Sequence, residues 1–199
     1  MDEKVKEYND IYTANPDKWS GDFIRDWIAY TTIHKYNDSP ASILDIGCGN
    51  GHTLEFLGGR WPGAKLYGID LSDVAIDIAK SKLPDAEFML GEFDEFDVHC
   101  DVVTIMGTAE HFEDLTTSLR KVRKFGDLFY LEVPDCIWMG LLNGAKSKLE
   151  GFRRTFKGGL QKEWHLKRSS WEDRIRWAGF DIIEFTISSN PGEFAWILR

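Results

Sequence analysis

The 199-residue chain predicts an α/β fold: a doubly wound, mostly parallel seven-stranded sheet with an antiparallel last strand, preceded by N-terminal helices. Three observations carry that prediction. From residue 42 onward, short apolar runs alternate with segments of helical periodicity, the pattern of βαβ units. The first apolar run, Ser42-Ile43-Leu44-Asp45-Ile46, passes straight into Gly47-Cys48-Gly49-Asn50-Gly51. Near the end, Phe180 to Ile187 and Phe194 to Leu198 are separated only by Ser188-Ser189-Asn190-Pro191-Gly192. Parallel neighbours need a crossover of about a dozen residues or more, so these two strands must be antiparallel.

The elements follow in order. Val5, Tyr8, Ile11 and Tyr12 recur at helical spacing. Asn15-Pro16 reads as an N-cap with proline at the first position of a second helix, continued by Phe23, Trp27 and Tyr30. Asn37-Asp38-Ser39-Pro40 breaks it. Ser42 to Gly47 is the first strand, and the next helix runs through Leu54, Phe56 and Leu57 to Gly58-Gly59. Lys65 to Asp70 is the second strand, and Ser72 caps a helix ending before Pro84. Glu87 to Leu90 and Asp101 to Met106 are the third and fourth strands, the latter apolar enough to be covered on both faces. Leu115, Leu119 and Val122 form a helical face closed by Gly126, and Leu128 to Val133 is the fifth strand. Ser169-x-x-Glu172 reads as a capping box for a helix that Gly179 ends.

Composition narrows the class. Length and a 43% hydrophobic content fit one domain, residues 1–199, with residues 1–40 as an N-terminal helical cap and 135–168 as an insertion. The charged start Met1-Asp2-Glu3-Lys4 reads as no signal peptide, and no apolar run approaches a membrane span, so the expected location is cytoplasmic. Cys48, Cys100 and Cys136 are too scattered for a zinc site and read as reduced thiols. A net charge of −9 argues against nucleic acid as partner. Between Lys146 and Arg168, however, eight basic residues face two acids, Glu150 and Glu163.

The chemistry centres on the glycine turn. Gly47 and Gly49 permit a tight bend, and Gly51 opens a helix whose N-terminus favours negative groups. Asp70 ends the second strand nineteen residues after Gly51. A carboxylate there accepts bonds from a ribose diol, so turn and acid together describe a pocket for an adenosine-containing cofactor. The competing readings are a purely structural turn and a helix-capping Asp70. Asp45 either steadies the glycine loop or binds an ammonium group. A dinucleotide loop wants glycine or alanine where His52 stands, which disfavours a nicotinamide-dependent oxidoreductase. A binding module without catalysis stays open.

Leu44-Asp45-Ile46-Gly47-Cys48-Gly49-Asn50-Gly51 is similar to the first motif of class I S-adenosylmethionine-dependent methyltransferases, and Gly68-Ile69-Asp70-Leu71-Ser72 to their acidic second-strand motif. Phe88-Met89-Leu90-Gly91-Glu92-Phe93 sits where that family places an acid beside the adenine. Asp101-Val102-Val103 and Met106-Gly107-Thr108-Ala109-Glu110-His111 resemble its fourth-strand region in small-molecule methyltransferases such as those of quinone biosynthesis. Trp164-His165-Leu166, Ala178-Gly179-Phe180 and the last hairpin resemble its C-terminal end. The resemblance covers about residues 42–199. It implies a Rossmann-like methyltransferase fold, S-adenosyl-L-methionine as cofactor and a small-molecule acceptor. It implies cofactor contacts at Asp45, Gly47, Cys48, Gly49, Gly51, Asp70, Leu71, Glu92, Phe93, Met106 and Gly107. Glu92 departs from the family's commoner Asp.

A hydroxyl acceptor needs its proton removed, and His111 and His165 are the candidates for that base or for orienting the acceptor. His34, His52 and His99 read as structural or solvated. Glu110 either orients a neighbour or caps the next helix. The insertion 135–168 places Trp138, Phe152, Phe156 and Trp164 among its basic residues. It reads as a lid favouring an acidic acceptor, or as an exposed basic helix. The tryptophans read mostly as core, with Trp19 over the cofactor.

Overall fold

The protein is represented by a computed structural model that describes residues 3–18, 23–134, 153–155, 162–164, 166–187 and 193–199. Helices α1 (Glu3–Ala14) and α2 (Phe23–His34) precede the sheet. Strands β1 (Ser42–Ile46), β2 (Lys65–Asp70), β3 (Glu87–Leu90), β4 (Cys100–Met106) and β5 (Gly126–Pro134) alternate with α3 (His52–Arg60), α4 (Asp73–Lys82) and α5 (Leu115–Val122). A short ribbon, β6 (Arg153–Thr155) and β7 (Lys162–Trp164), precedes α6 (Arg168–Trp177), β8 (Ile182–Ile187) and β9 (Glu193–Leu198). The main sheet has the order β3-β2-β1-β4-β5-β9-β8. β9 is antiparallel to both its neighbours, as the short final connection requires.

The strands are apolar because both faces are covered. Ile43, Val102, Leu128 and Tyr130 pack under α2 and α3, with Ala29, Ile33, Leu54 and Leu57. Leu44, Val103, Ile105, Phe129 and Leu131 pack on the other face against Leu115, Leu119, Trp171 and Ile175. The two-residue alternation of a strand therefore sends Asp45, Thr104 and Glu132 toward the α2 side.

Several boundaries differ from the sequence reading. Asn15-Pro16 ends α1 instead of starting α2: the Asn15 N–H donates to the Ile11 carbonyl at 2.9 Å, and the chain then turns. The expected Ser169 capping box does not form, because α6 begins at Arg168 with Lys167 as N-cap. Glu172 pairs instead with Arg168 at 2.7 Å. Gly179 does cap α6, with φ +93° and its N–H on the Arg176 carbonyl at 2.9 Å. Gly58-Gly59 does not stop α3, which runs through both to Arg60. A Cβ at Gly58 would lie 2.6 Å from Leu66 Cδ1, so the glycine brings α3 close to β2. Gly126 closes the helical segment, as C-cap of the 3-10 turn Arg123–Phe125 that follows α5, and is at the same time the first residue of β5, fully extended. Trp27 and Trp177 are exposed at 42% and 64%, not core; Trp61, Trp171 and Trp196 are buried. Trp19, Trp138, Phe152, Phe156 and Cys136 lie outside the described residues.

Two glycines give opposite expectations. A Cβ at Gly126 would sit 2.6 Å from the Cys100 carbonyl oxygen, a backbone atom that cannot move aside. Gly126→Ala should cost about 1–3 kcal/mol. Gly59 lies within α3 with nothing near its missing Cβ. Gly59→Ala should stabilise by about 0.5–1 kcal/mol. Thermal denaturation of the pair checks both signs, at about 2–4 °C per kcal/mol.

Candidate active site

The C-terminal ends of β1, β2, β4 and β5 open into a cavity of about 720 Å³. Its floor is the glycine turn. Gly47 and Gly49 take φ +76° and +51°, conformations that side chains rarely adopt. A Cβ at Gly47 would overlap the Thr108 side chain, and one at Gly49 the Tyr12 hydroxyl. The turn is tied to β2 by backbone bonds from Gly47 and Cys48 to the Ile69 carbonyl, at 2.8 and 3.0 Å. Asp70 completes the tie: its Oδ2 accepts from Gly49 N–H at 2.8 Å and its Oδ1 from Ser72 N–H at 2.9 Å. Burial raises the pKa of Asp70, and these backbone donors oppose the rise.

Of the residues singled out in the sequence, Asp45, Gly47, Cys48, Gly49, Asp70, Leu71, Glu92, Phe93, Met106, Gly107 and His111 all border this one cavity. Gly51 does not. It is the N-cap of α3, with φ +79°, and backs onto Ala79, whose Cβ would be 3.1 Å from one at Gly51. His165 lies outside the described residues. His111 stands edge-on to Tyr8, with ring centroids 6.3 Å apart, and its Nε2 is 4.0 Å from Glu110 Oε1. Glu110 is buried there; the cap of α5 is Asp114, which accepts from Thr117 N–H at 3.1 Å. His34 packs on Tyr30 and Trp61, and His99 bonds the Lys124 carbonyl, both away from the cavity.

The structure adds residues that the sequence reading passed over. His52, read there as structural or solvated, borders the cavity, and its Nε2 lies 3.0 Å from Asp26 Oδ2. Asp26 is buried on α2 and also accepts from Thr53 Oγ1 at 3.2 Å. Its neighbour Arg25 reaches across to β5, placing Nε 2.9 Å from Glu132 Oε1, and Glu132 is 1% exposed. Arg25 stays firmly protonated: burial works against its charge, but Glu132, Glu193, Asp26 and Asp45 outweigh it. From α1, Lys4, Glu7, Tyr8, Ile11 and Tyr12 line the cavity, and Tyr12 lies against Gly49 of the turn. Burial, with Asp70 close by, pushes the Tyr12 hydroxyl well up, so it is a neutral donor. One signal for these residues was readable: Thr104 and Glu132 stand within the apolar runs of β4 and β5, and Arg25-Asp26 within the apolar stripe of α2.

Fold and cavity define a class: a Rossmann-like domain with a glycine-turn pocket at the carboxyl edge of its sheet. Residues 18–184 match the family model of a methyltransferase domain, and the chain belongs to that family. Over 47 residues it is 51% identical to a trans-aconitate 2-methyltransferase of Afipia carboxidovorans, covering 24% of this chain and 18% of that protein. Over 133 residues it is 28% identical to a malonyl-[acyl-carrier protein] O-methyltransferase of Priestia megaterium, covering 59% and 47%. The chain thus spans less than half the length of these curated relatives. Among solved structures it resembles a Burkholderia thailandensis 1,6-didemethyltoxoflavin-N1-methyltransferase with a TM-score of 0.78 and 15% identity, over 98% of this chain and 86% of that one.

The Arg25–Glu132 pair should behave as a buried ion pair. Arg25→Met strands a buried carboxylate and should cost about 3–5 kcal/mol. The double change Arg25→Met/Glu132→Leu should recover most of that loss in urea denaturation. Additive losses would show that the two side chains are not coupled.

Proposed function

We propose that the cavity binds S-adenosylmethionine and that the protein transfers its methyl group to a small-molecule acceptor. The observation that supports this most is the convergence of the glycine turn, Asp45, Asp70, Glu92-Phe93 and Met106-Gly107 on one cavity in a chain of the methyltransferase family. The residues fit such a group. The turn brings bare backbone to the surface, Asp70 stands where a ribose diol would meet it, and buried carboxylates suit a cationic sulfonium and ammonium. When bound, S-adenosylmethionine supplies a methyl group on positively charged sulfur, open to direct displacement. The chain's own task is then to hold acceptor and donor in line, which supplies about 7–11 kcal/mol of barrier reduction. His111, at the cavity wall beside Glu110, is the base for a hydroxyl acceptor or the group that orients it. His165 keeps that same proposed role.

An acidic acceptor is supported by the names of the two curated relatives and by the basic run Lys146 to Arg168. The described wall carries Glu7, Asp45, Asp70, Glu92, Glu110, Glu132 and Glu193 against Lys4, Lys18 and Arg25. An anionic acceptor therefore needs countercharge from the insertion, 135–168. Its ribbon strand β7 runs against the Ala109–His111 turn at the cavity, where a lid would stand.

Calorimetry should show binding of S-adenosylmethionine and S-adenosylhomocysteine and none of NAD. Asp70→Ala should weaken binding about 10- to 100-fold, the worth of a charge-assisted hydrogen bond. Unchanged affinity would remove Asp70 from the site. For the lid, Arg153→Ala/Arg154→Ala should raise KM for a carboxylate acceptor about tenfold and flatten its salt dependence. An unchanged KM and salt profile would count against it.

A further inference from the structure

Asp45 interrupts the apolar strand β1 with a buried carboxyl. It sits at the carboxyl end of β1, 4% exposed, at the cavity wall. Its Oδ1 accepts from Thr104 Oγ1 at 2.7 Å. Charged or polar side chains reach it from several elements. From α2 come Arg25 and Asp26, from β2 comes Asp70, and α1 places Tyr12 over the turn. Glu132 of β5 already engages Arg25 at 2.9 Å, and His52 of α3 engages Asp26 at 3.0 Å. Arg25 thus has a carboxylate of its own, while Asp26 and Asp70 disfavour a further negative charge at Asp45.

We infer that Asp45 is a proton-exchanging ligand group. It holds a proton until a cationic ligand reaches the cavity and gives that proton to solvent when the ligand binds. This rests on the S-adenosylmethionine reading above and adds a pH dependence to it. Physically, a positive charge arriving beside a buried carboxyl favours its ionised form, and by linkage ionisation tightens the ligand. Burial pushes the Asp45 carboxyl up to about 7, with Asp26 and Asp70 adding to the rise and the Thr104 hydroxyl and Arg25 opposing it. The exchange therefore falls near neutral pH. The Thr104 hydroxyl lowers the midpoint that burial raises, because it donates to the ionised form.

The ligand-free protein carries the same signature. A carboxyl whose folded value lies above its unfolded one binds more protons in the folded state. Its stabilising contribution is full below about pH 4 and is lost as pH rises toward about 7. Asp45→Asn should abolish that part of the decline in thermal midpoint between pH 5 and 8.

The direct test is calorimetry of S-adenosylmethionine binding in two buffers of different ionisation enthalpy, from pH 6.0 to 7.5. The native chain should release a substantial fraction of a proton at the acid end of that range, falling as the pH rises through about 7. Asp45→Asn should bind more weakly and lose that release, which also controls for the ligand's own amine. Thr104→Val should raise the release at pH 7.5. Binding with no proton release, or equal release by Thr104→Val and the native chain, overturns the proposal alone. No binding in either buffer refutes the S-adenosylmethionine reading and the proposal with it.

Discussion

The cavity depends on one tie: the Asp70 carboxylate holding the Gly49 N–H at 2.8 Å while the Ile69 carbonyl holds Gly47 and Cys48. These bonds fold the turn after β1 back against the end of β2. They keep two left-handed glycines in place and set the start of α3 under the cavity. The same carboxylate fixes the entry to α4 through Ser72. Asp70 therefore has the structural role, while the cap of α4 is Ser72, whose hydroxyl accepts from the Ala75 N–H at 3.1 Å. A carboxylate has about four acceptor sites, so two backbone bonds leave room for the ribose reading as well.

Around that tie the protein buries charge. Arg25, Asp26, Asp45, Thr104 and Glu132 meet on the α2 side of the sheet because strand alternation sends positions 45, 104 and 132 to one face. Isolated buried charges are costly, and here Arg25 pairs with Glu132, while the His52 ring lies against Asp26. α2 is thereby pinned to both the sheet and α3. Such a wall is poorly suited to a neutral fold core and well suited to a ligand carrying positive charge.

The sequence reading was strongest where local rules act alone. The glycine turn, the Ser72 cap, the Gly179 cap and the β8–β9 reversal each follow from a few adjacent residues. It failed where a distant neighbour decides. Gly58 lies inside α3, where its missing side chain leaves room for Leu66 of β2, and His52, read as structural or solvated, borders the cavity beside Asp26 of α2.

The sequence by itself determined the alternation of strands and helices in the main sheet, the reversed final strand and the glycine turn, though not the β6–β7 ribbon inside the insertion. These depend on periodicity, backbone freedom and connection length, all local quantities. Only the tertiary structure decided that α1 lines the cavity, that Arg25 and His52 belong to it, and that Gly51 does not border it. Those outcomes depend on which faces of helices far apart in sequence meet the carboxyl edge of the sheet, and no spacing along the chain encodes that meeting.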